Sequence, residues 1–157
     1  MDTTELQAAY QPILALAGRV TGPGPADRDD WGPGDVLAHL IANDRLVARA
    51  VRSVLGGTVE PYDNADALDL AELRALAGEL GGTARLAGGL EASSQELLAL
   101  AGRLDEAQAA TPLPVKIVDG DQVFLDRPVP VAELLATQAR AHLPMHQRQL
   151  SELIDPP

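Results

Sequence analysis

The chain contains no cysteine among its 157 residues. Disulfide bonds, thiolate metal ligands and a cysteine nucleophile are therefore excluded, and any thiol chemistry needs a thiol from outside the chain. Aromatic residues are also scarce, at 3% of the chain, so the 46% hydrophobic content comes mostly from alanine, leucine and valine. This composition favours helices that pack through small and medium side chains, and we predict an all-α fold.

Cationic residues are few as well, because 12 Lys and Arg stand against 23 Asp and Glu, giving a formal net charge of -11. Nucleic-acid phosphates and anionic lipids need cations to replace their counterions, so we expect neither a nucleic-acid nor a membrane partner. The sequence shows no signal-peptide pattern and no stretch near the ~20 apolar residues of a membrane span. The expected location is the cytoplasm.

Two helices are predicted in the first third of the chain. Thr3 or Thr4 can cap the first helix, in which apolar residues recur at helical spacing. The glycine and proline residues of segment 21–25 are expected to end it. Pro33 suits the first position of the second helix, which should run to about Leu55.

One long helix is predicted from about Ala67 to Ala109, because leucine and alanine recur there at spacings of three or four. The phase of this pattern survives two glycine pairs, at 81–82 and 88–89. The persistence of the phase favours one helix, able to kink at a glycine pair, over two separate helices.

The pattern changes between Pro114 and Pro128. An Asp-Gly turn near residues 119–121 is flanked by β-branched and aromatic residues, which predicts a short β-hairpin. Helical spacing returns after Pro130. The predicted architecture is therefore a four-helix bundle in a single domain, residues 1–157, with a hairpin or extended insert before the last helix.

All three histidines of the chain fall on helical faces that the apolar pattern directs inward. His142 and His146 are four residues apart on the last helix, so they share one face, with a rise of ~6 Å between them. His39 lies on the inward stripe of the second helix. Three neutral imidazoles can hold a divalent metal ion and leave the fourth tetrahedral position open. The alternative is that all three are ordinary core histidines. Pro144, which lies between His142 and His146, can kink the last helix.

Three amide side chains lie about one helical turn from these histidines: Asn43, Gln138 and Gln149. Such groups can orient a metal-bound imidazole or a substrate. The alternative for each is a solvated amide or one at the edge of the core.

The segment WGPGDVLAHL at 31–40 and the segment HLPMH at 142–146, followed by Gln149-Leu150, resemble the DinB/YfiT-like superfamily of helical bundles. That superfamily includes the N-terminal domain of mycothiol-dependent maleylpyruvate isomerase. The order and separation of the two segments are similar as well, and the resemblance covers nearly the whole chain. It implies a four-helix bundle with a long connection and a metal triad formed by His39, His142 and His146.

The resemblance also implies a function. Characterised members of the superfamily bind zinc or nickel, and several are metal-dependent transferases or isomerases that use bacillithiol, mycothiol or glutathione. A small-molecule thiol or electrophile would then be the partner, and the chain would form a homodimer. The alternatives are a non-catalytic stress-response protein that binds a metal or small molecule, and a purely structural homodimeric bundle.

Overall fold

The computed structural model describes residues 1–22 and 31–156, so most of the predicted break at 21–25 lies outside the described residues. The elements in chain order are α1 Thr4–Ala17, α2 Pro33–Leu55, β1 Tyr62–Asp63, α3 Leu70–Glu79, α4 Thr83–Gly102, α5 Glu106–Ala109, β2 Pro112–Asp119, β3 Gln122–Pro130, α6 Val131–Thr137 and α7 Leu143–Ile154. A short 3-10 helix, Asn64–Ala67, follows β1, and a π-helical turn, Gln138–His142, joins α6 to α7. The helical fold predicted from composition is confirmed, with the addition of one small sheet.

The start of α1 is capped by a residue that the sequence prediction did not name. Asp2 Oδ1 accepts hydrogen bonds from the backbone N–H of Thr4 at 2.9 Å and from its hydroxyl at 2.7 Å, whereas Thr3 makes no side-chain cap. The carboxylate of Asp2 is a stronger hydrogen-bond acceptor than the hydroxyl of Thr3, and its negative charge also complements the helix dipole. α1 buries one stripe, made of Leu6, Tyr10, Ile13 and Ala17.

α2 begins at Pro33 and ends at Leu55, as predicted. Asp35 Oδ2 accepts the backbone N–H of Gly32 at 2.9 Å, which satisfies one of the free donors at the helix start. The chain then leaves the helix through Gly57, whose φ of 78° lies in the left-handed region. α2 carries most of the buried polar residues of the described chain, including His39.

The prediction of one helix from Ala67 to Ala109 is wrong. Gly81 and Gly82 have φ values of 94° and 86°, which a right-handed helix cannot contain, so this glycine pair separates α3 from α4 instead of kinking one helix. Gly89 lies inside α4, where a Cβ atom would come within 3.1 Å of Ile41 on α2. Gly89 therefore allows α4 to approach α2 closely, whereas Gly88 has open space around it.

The predicted hairpin is present as β2 and β3, which pair antiparallel, with Gly120 at a φ of 53° in the turn. β1 adds a third strand, parallel to β2, in which Tyr62 lies opposite Val115. Two residues are too few to show the alternation by which a strand is recognised in sequence. The extra strand brings Tyr62 into the core, where it is 3% exposed.

The C-terminal helical run, residues 131–154, contains the π turn immediately before Pro144. Leu143 donates its backbone N–H to the carbonyl of Gln138, five residues earlier. A proline ring clashes with the carbonyl four residues before it in a regular helix, and the wider turn relieves that clash. The run packs with α1 and α2, and α2 also packs on α4, around one continuous hydrophobic cluster. Within the described residues, no helix is long and apolar enough to cross a membrane.

Candidate metal centre

Three helical elements each place one histidine at a common point. His39 lies on α2, His142 ends the π turn, and His146 lies in the first turn of α7. Each ring offers a nitrogen, and the three nitrogens all lie within 4.8 Å of one another. The Nε2 atoms of His39 and His142 are 3.0 Å apart. The structure thus brings together all three histidines named from the sequence, which we call the three-histidine cluster.

The rings meet by their edges and not by their faces. Their centroids are separated by 5.2 Å for His39 and His142, and by 4.6 Å for each pair that includes His146. The ring planes are inclined to one another by 52° to 79°. This arrangement lets nitrogen lone pairs converge, as a shared ion requires, whereas stacked rings would direct them apart.

Two of the rings are oriented by hydrogen bonds at Nδ1. His39 Nδ1 is 2.7 Å from the backbone carbonyl of Ala67, and His146 Nδ1 is 2.8 Å from Oε1 of Gln149. Because both partners are oxygen acceptors, Nδ1 carries the proton in each ring, and Nε2 is left bare as a ligand. Gln149 thus contacts the imidazole of His146. The Ala67 carbonyl was not foreseen, since any residue supplies one.

His142 differs from the other two histidines. Its Nδ1 is buried and has no hydrogen-bond partner among the described residues. An ordinary core histidine has its ring nitrogens satisfied by neighbours, because a buried polar atom without a partner is unfavourable. The interpretation of all three histidines as core filler therefore leaves the Nδ1 atom of His142 unexplained.

Burial keeps all three rings neutral. It lowers the pKa of His39 to about 4, helped by nearby His146 and opposed by the hydrogen bond to Ala67. Burial also holds the pKa of His142 well below its usual value, with His146 and His39 adding to the effect. The pKa of His146 is lowered by burial and partly restored by Gln149. Neutral imidazole is the form that binds a metal, so the cluster is ready for one near pH 7.

Trp31, two residues before the start of α2, packs beside the cluster. Its ring centroid is 4.9 Å from that of His39 and 6.4 Å from that of His146, and it lies within 8° of parallel to the latter. The half-buried indole shields these two rings, so it anchors the start of α2 against the cluster.

Asn43 and Gln138 lie one turn from His39 and His142, but they contact each other and not an imidazole. Asn43 Nδ2 donates to Gln138 Oε1 at 2.9 Å, and the hydroxyl of Tyr62 donates to Asn43 Oδ1 at 2.6 Å. Neither amide contacts an imidazole directly, and their role as groups that orient a ring or a substrate stays a prediction. The tyrosine was missed because its strand was missed.

A second buried polar group, the Asp44 cluster, consists of Tyr10, Asp44 and Ser93. The hydroxyls of Tyr10 and Ser93 lie 2.5 Å and 2.6 Å from the two carboxyl oxygens of Asp44. Burial raises the pKa of Asp44 to about 7, although both hydroxyl contacts oppose the shift. Ser93 Oγ is also 3.2 Å from the Leu90 carbonyl, so a protonated Asp44 can donate to Ser93 while Ser93 donates onward.

Sequence reasoning missed the Asp44 cluster, although a signal was present. Asp44 lies three residues after Ile41 and three before Val47, both fully buried, so helical spacing directs it inward.

Comparisons with models of protein families, with curated proteins and with solved structures find no match.

Proposed function

We propose that the chain binds one divalent transition-metal ion through His39, His142 and His146, and that it is a metal-dependent thiol S-transferase. The observation that carries the metal proposal is the convergence of three neutral ring nitrogens, from two buried histidines and one half-buried histidine, within 4.8 Å of one another. The 3.0 Å separation of Nε2 of His39 and Nε2 of His142 supports it, because two nitrogens that each bind one ion at roughly 2.0 to 2.1 Å lie about this far apart.

The donor set fits zinc or nickel. Imidazole nitrogen is a common ligand of both, and three such ligands leave a tetrahedral ion with one open position. Three neutral rings do not offset the charge of the ion, so the open position favours an anionic ligand. The hydrogen bonds at Nδ1 of His39 and His146 would raise the basicity of these two ligands and hold their orientation.

A divalent ion held there would deprotonate a coordinated thiol and lower the pKa of coordinated water towards ~7. Because the chain has no cysteine, the thiol must be an external one, and the resemblance to the DinB/YfiT-like superfamily implies bacillithiol, mycothiol or glutathione. In the net reaction its sulfur bonds to an electrophilic carbon, the leaving group departs with the electron pair of the broken bond, and the thiol proton passes to solvent. Trp31 and the buried rings limit the access of water.

The fold type is part of the same proposal. Four longer helical runs, α1, α2, α4 and residues 131–154, pack around the core, and the motifs at 31–40 and 142–146 support a bundle of the DinB/YfiT type. The same resemblance supports a homodimer in the cytoplasm. Sedimentation of the purified chain tests the dimer.

Elemental analysis tests the metal proposal. The chain, purified without chelator and exposed separately to zinc and nickel, is expected to retain about one ion per chain for at least one metal. His142→Ala should lose it, because two imidazoles remain. A wild-type chain without stoichiometric metal, or one whose metal content is unchanged in His142→Ala, would refute the proposal.

Turnover separates an enzyme from a metal-binding protein without catalysis. The metal-loaded chain is incubated with each thiol and a panel of electrophiles such as epoxides, chloroarenes and monobromobimane. Thioether formation above background, lost in His39→Ala, is expected. A loaded chain that turns over no pair would favour the alternative of a non-catalytic metal-binding stress protein.

A further inference from the structure

Asn43 and Gln138 repeat, one helical turn away, the contact that His39 makes with His142. Asn43 follows His39 by four residues on α2, and Gln138 precedes His142 by four residues in the π turn. The amides are joined at 2.9 Å and the two Nε2 atoms lie 3.0 Å apart. The two contacts therefore connect the same antiparallel elements at successive turns.

The amide pair is buried and directional. Asn43 is 1% exposed and Gln138 is 3% exposed. The hydroxyl of Tyr62 donates to Asn43 Oδ1, which leaves the NH₂ end of Asn43 facing Gln138. A buried donor without its acceptor is unfavourable, so this pair fixes the separation of α2 and the π turn more strictly than an apolar contact of the same size.

The π turn makes the position of Gln138 matter for the histidines. Gln138 and His142 are the first and last residues of this turn. A π turn places one extra residue in the helix and thereby rotates the side chains that follow it. The position of Gln138 along α2 consequently affects the directions of the His142 and His146 side chains, which follow it in the chain.

One segment supports both levels of the contact between α2 and the π turn. In the segment 62–67, Tyr62 donates to Asn43, and the carbonyl of Ala67 accepts from His39. Asn64 holds the segment on the backbone of β2 through hydrogen bonds of 2.9 Å and 2.7 Å. The amide pair and the His39 ring therefore share one support.

We propose that the Asn43–Gln138 pair is a positioning element that sets the separation of His39 from His142, and with it the coordination geometry and metal preference of the site. The proposal rests on the proposed metal-binding function. Zinc, nickel and copper differ in preferred geometry, so the spacing of the imidazoles decides which ion fits. The pair acts through the histidines, since its hydrogen bonds are to each other and to Tyr62.

Cobalt(II) titration of the full chain tests the proposal, because the visible spectrum of cobalt reports its coordination geometry. Gln138→Met nearly keeps the side-chain volume and removes the acceptor for Asn43. We expect it to weaken metal binding roughly 10- to 100-fold in chelator competition and to change the cobalt spectrum. Ser94→Ala is the matched control: Ser94 is a buried polar residue of α4 that donates to the carbonyl of Glu91 at 2.9 Å. It should give the wild-type spectrum and affinity.

A folded Gln138→Met chain with wild-type spectrum and affinity would overturn the proposal. If that variant does not fold, Tyr62→Phe takes its place, because it keeps both amides and removes only the hydroxyl that orients Asn43. It should show the same spectral change with a smaller loss of affinity, and wild-type values would overturn the proposal. A wild-type chain that binds none of cobalt, zinc and nickel would refute the proposed function itself, so the two failures are distinguishable.

Discussion

The two buried polar clusters on α2 sit five residues apart and differ in what satisfies them. In the Asp44 cluster, both carboxyl oxygens have hydroxyl partners from α1 and α4. In the three-histidine cluster, nitrogens face one another, and His142 Nδ1 has no partner within the described chain. The first is complete with protein atoms alone, which is typical of a structural group. The second brings three ring nitrogens within 4.8 Å of one another and leaves a fourth without a partner among the described residues, which is why we propose it as the metal site.

The largest expected effect separates the clusters by metal content. His39→Ala should abolish stoichiometric metal binding, because it removes one of three ligands, while Asp44→Asn should keep about one ion per chain. Inductively coupled plasma mass spectrometry on both folded variants measures this. If Asp44→Asn lost its metal and His39→Ala kept it, the Asp44 cluster and not the three-histidine cluster would be the metal site.

The pH dependence of unfolding isolates the Asp44 cluster. Asp44 has its folded pKa raised from 3.8 to about 7, so its contribution to stability is fully present below about pH 4 and is lost as pH rises to 7. The loss reaches up to about 1.4 kcal/mol per pH unit. In Asp44→Asn this contribution is absent. Denaturant unfolding of both metal-free chains between pH 4 and 8 gives the difference.

The three histidines change the free energy of unfolding with pH in the opposite direction to Asp44. They are present in both the wild-type chain and Asp44→Asn. Their folded pKa values are lowered, so the metal-free chain loses stability as pH falls below 6.5. The comparison must therefore use the difference between wild type and Asp44→Asn at each pH. A difference that does not change between pH 4 and 7 would show that Asp44 is ionised in the folded chain.

A pair of milder variants sharpens the contrast. Gln149→Met removes the acceptor for His146 and should weaken metal binding roughly 10-fold, with little change in the stability of the metal-free chain. Ser93→Ala should lower the free energy of unfolding by about 1–2 kcal/mol and leave metal affinity unchanged. Chelator competition and urea unfolding on both variants would show this exchange of effects. If Gln149→Met and Ser93→Ala lowered metal affinity by the same factor, this separation of the two clusters would be contradicted.

The smallest expected effect comes from two glycines outside both clusters. Gly88→Ala, in the interior of α4 with open space around the added Cβ, should stabilise the chain by about 0.5–1 kcal/mol. Gly82→Ala should destabilise it, because its φ is 86°, and metal affinity should stay constant in both. Thermal unfolding with metal titration provides this baseline, and a change in affinity would show that global stability controls the site.

These glycines also show where sequence information ends. The phase of the leucine pattern continues through Gly81 and Gly82, so periodicity predicted one helix, whereas the positive φ values of this pair end α3 and the backbone N–H of Gly82 bonds to the carbonyl of Ala77. α2, the hairpin and the inward placement of the histidines followed from local signals. β1 did not, because its pairing with β2 joins residues distant in sequence.

The candidate site divides in the same way. Helical spacing could place His39, His142 and His146 on inward faces, and it put Gln149 one turn from His146. Helical spacing could not predict that a backbone carbonyl would accept a hydrogen bond from His39. It also could not predict the π turn between Gln138 and His142, which rotates the side chains that follow it. Both depend on how separate segments meet.

X-ray absorption spectroscopy of the metal-loaded chain tests the central claim most directly. The spectrum should show an ion with three imidazole nitrogens at roughly 2.0–2.1 Å and one further light ligand, and an added low-molecular-weight thiol should replace that ligand with sulfur. An ion coordinated mainly by oxygen, or imidazole scattering that persists unchanged in His39→Ala, would contradict the account.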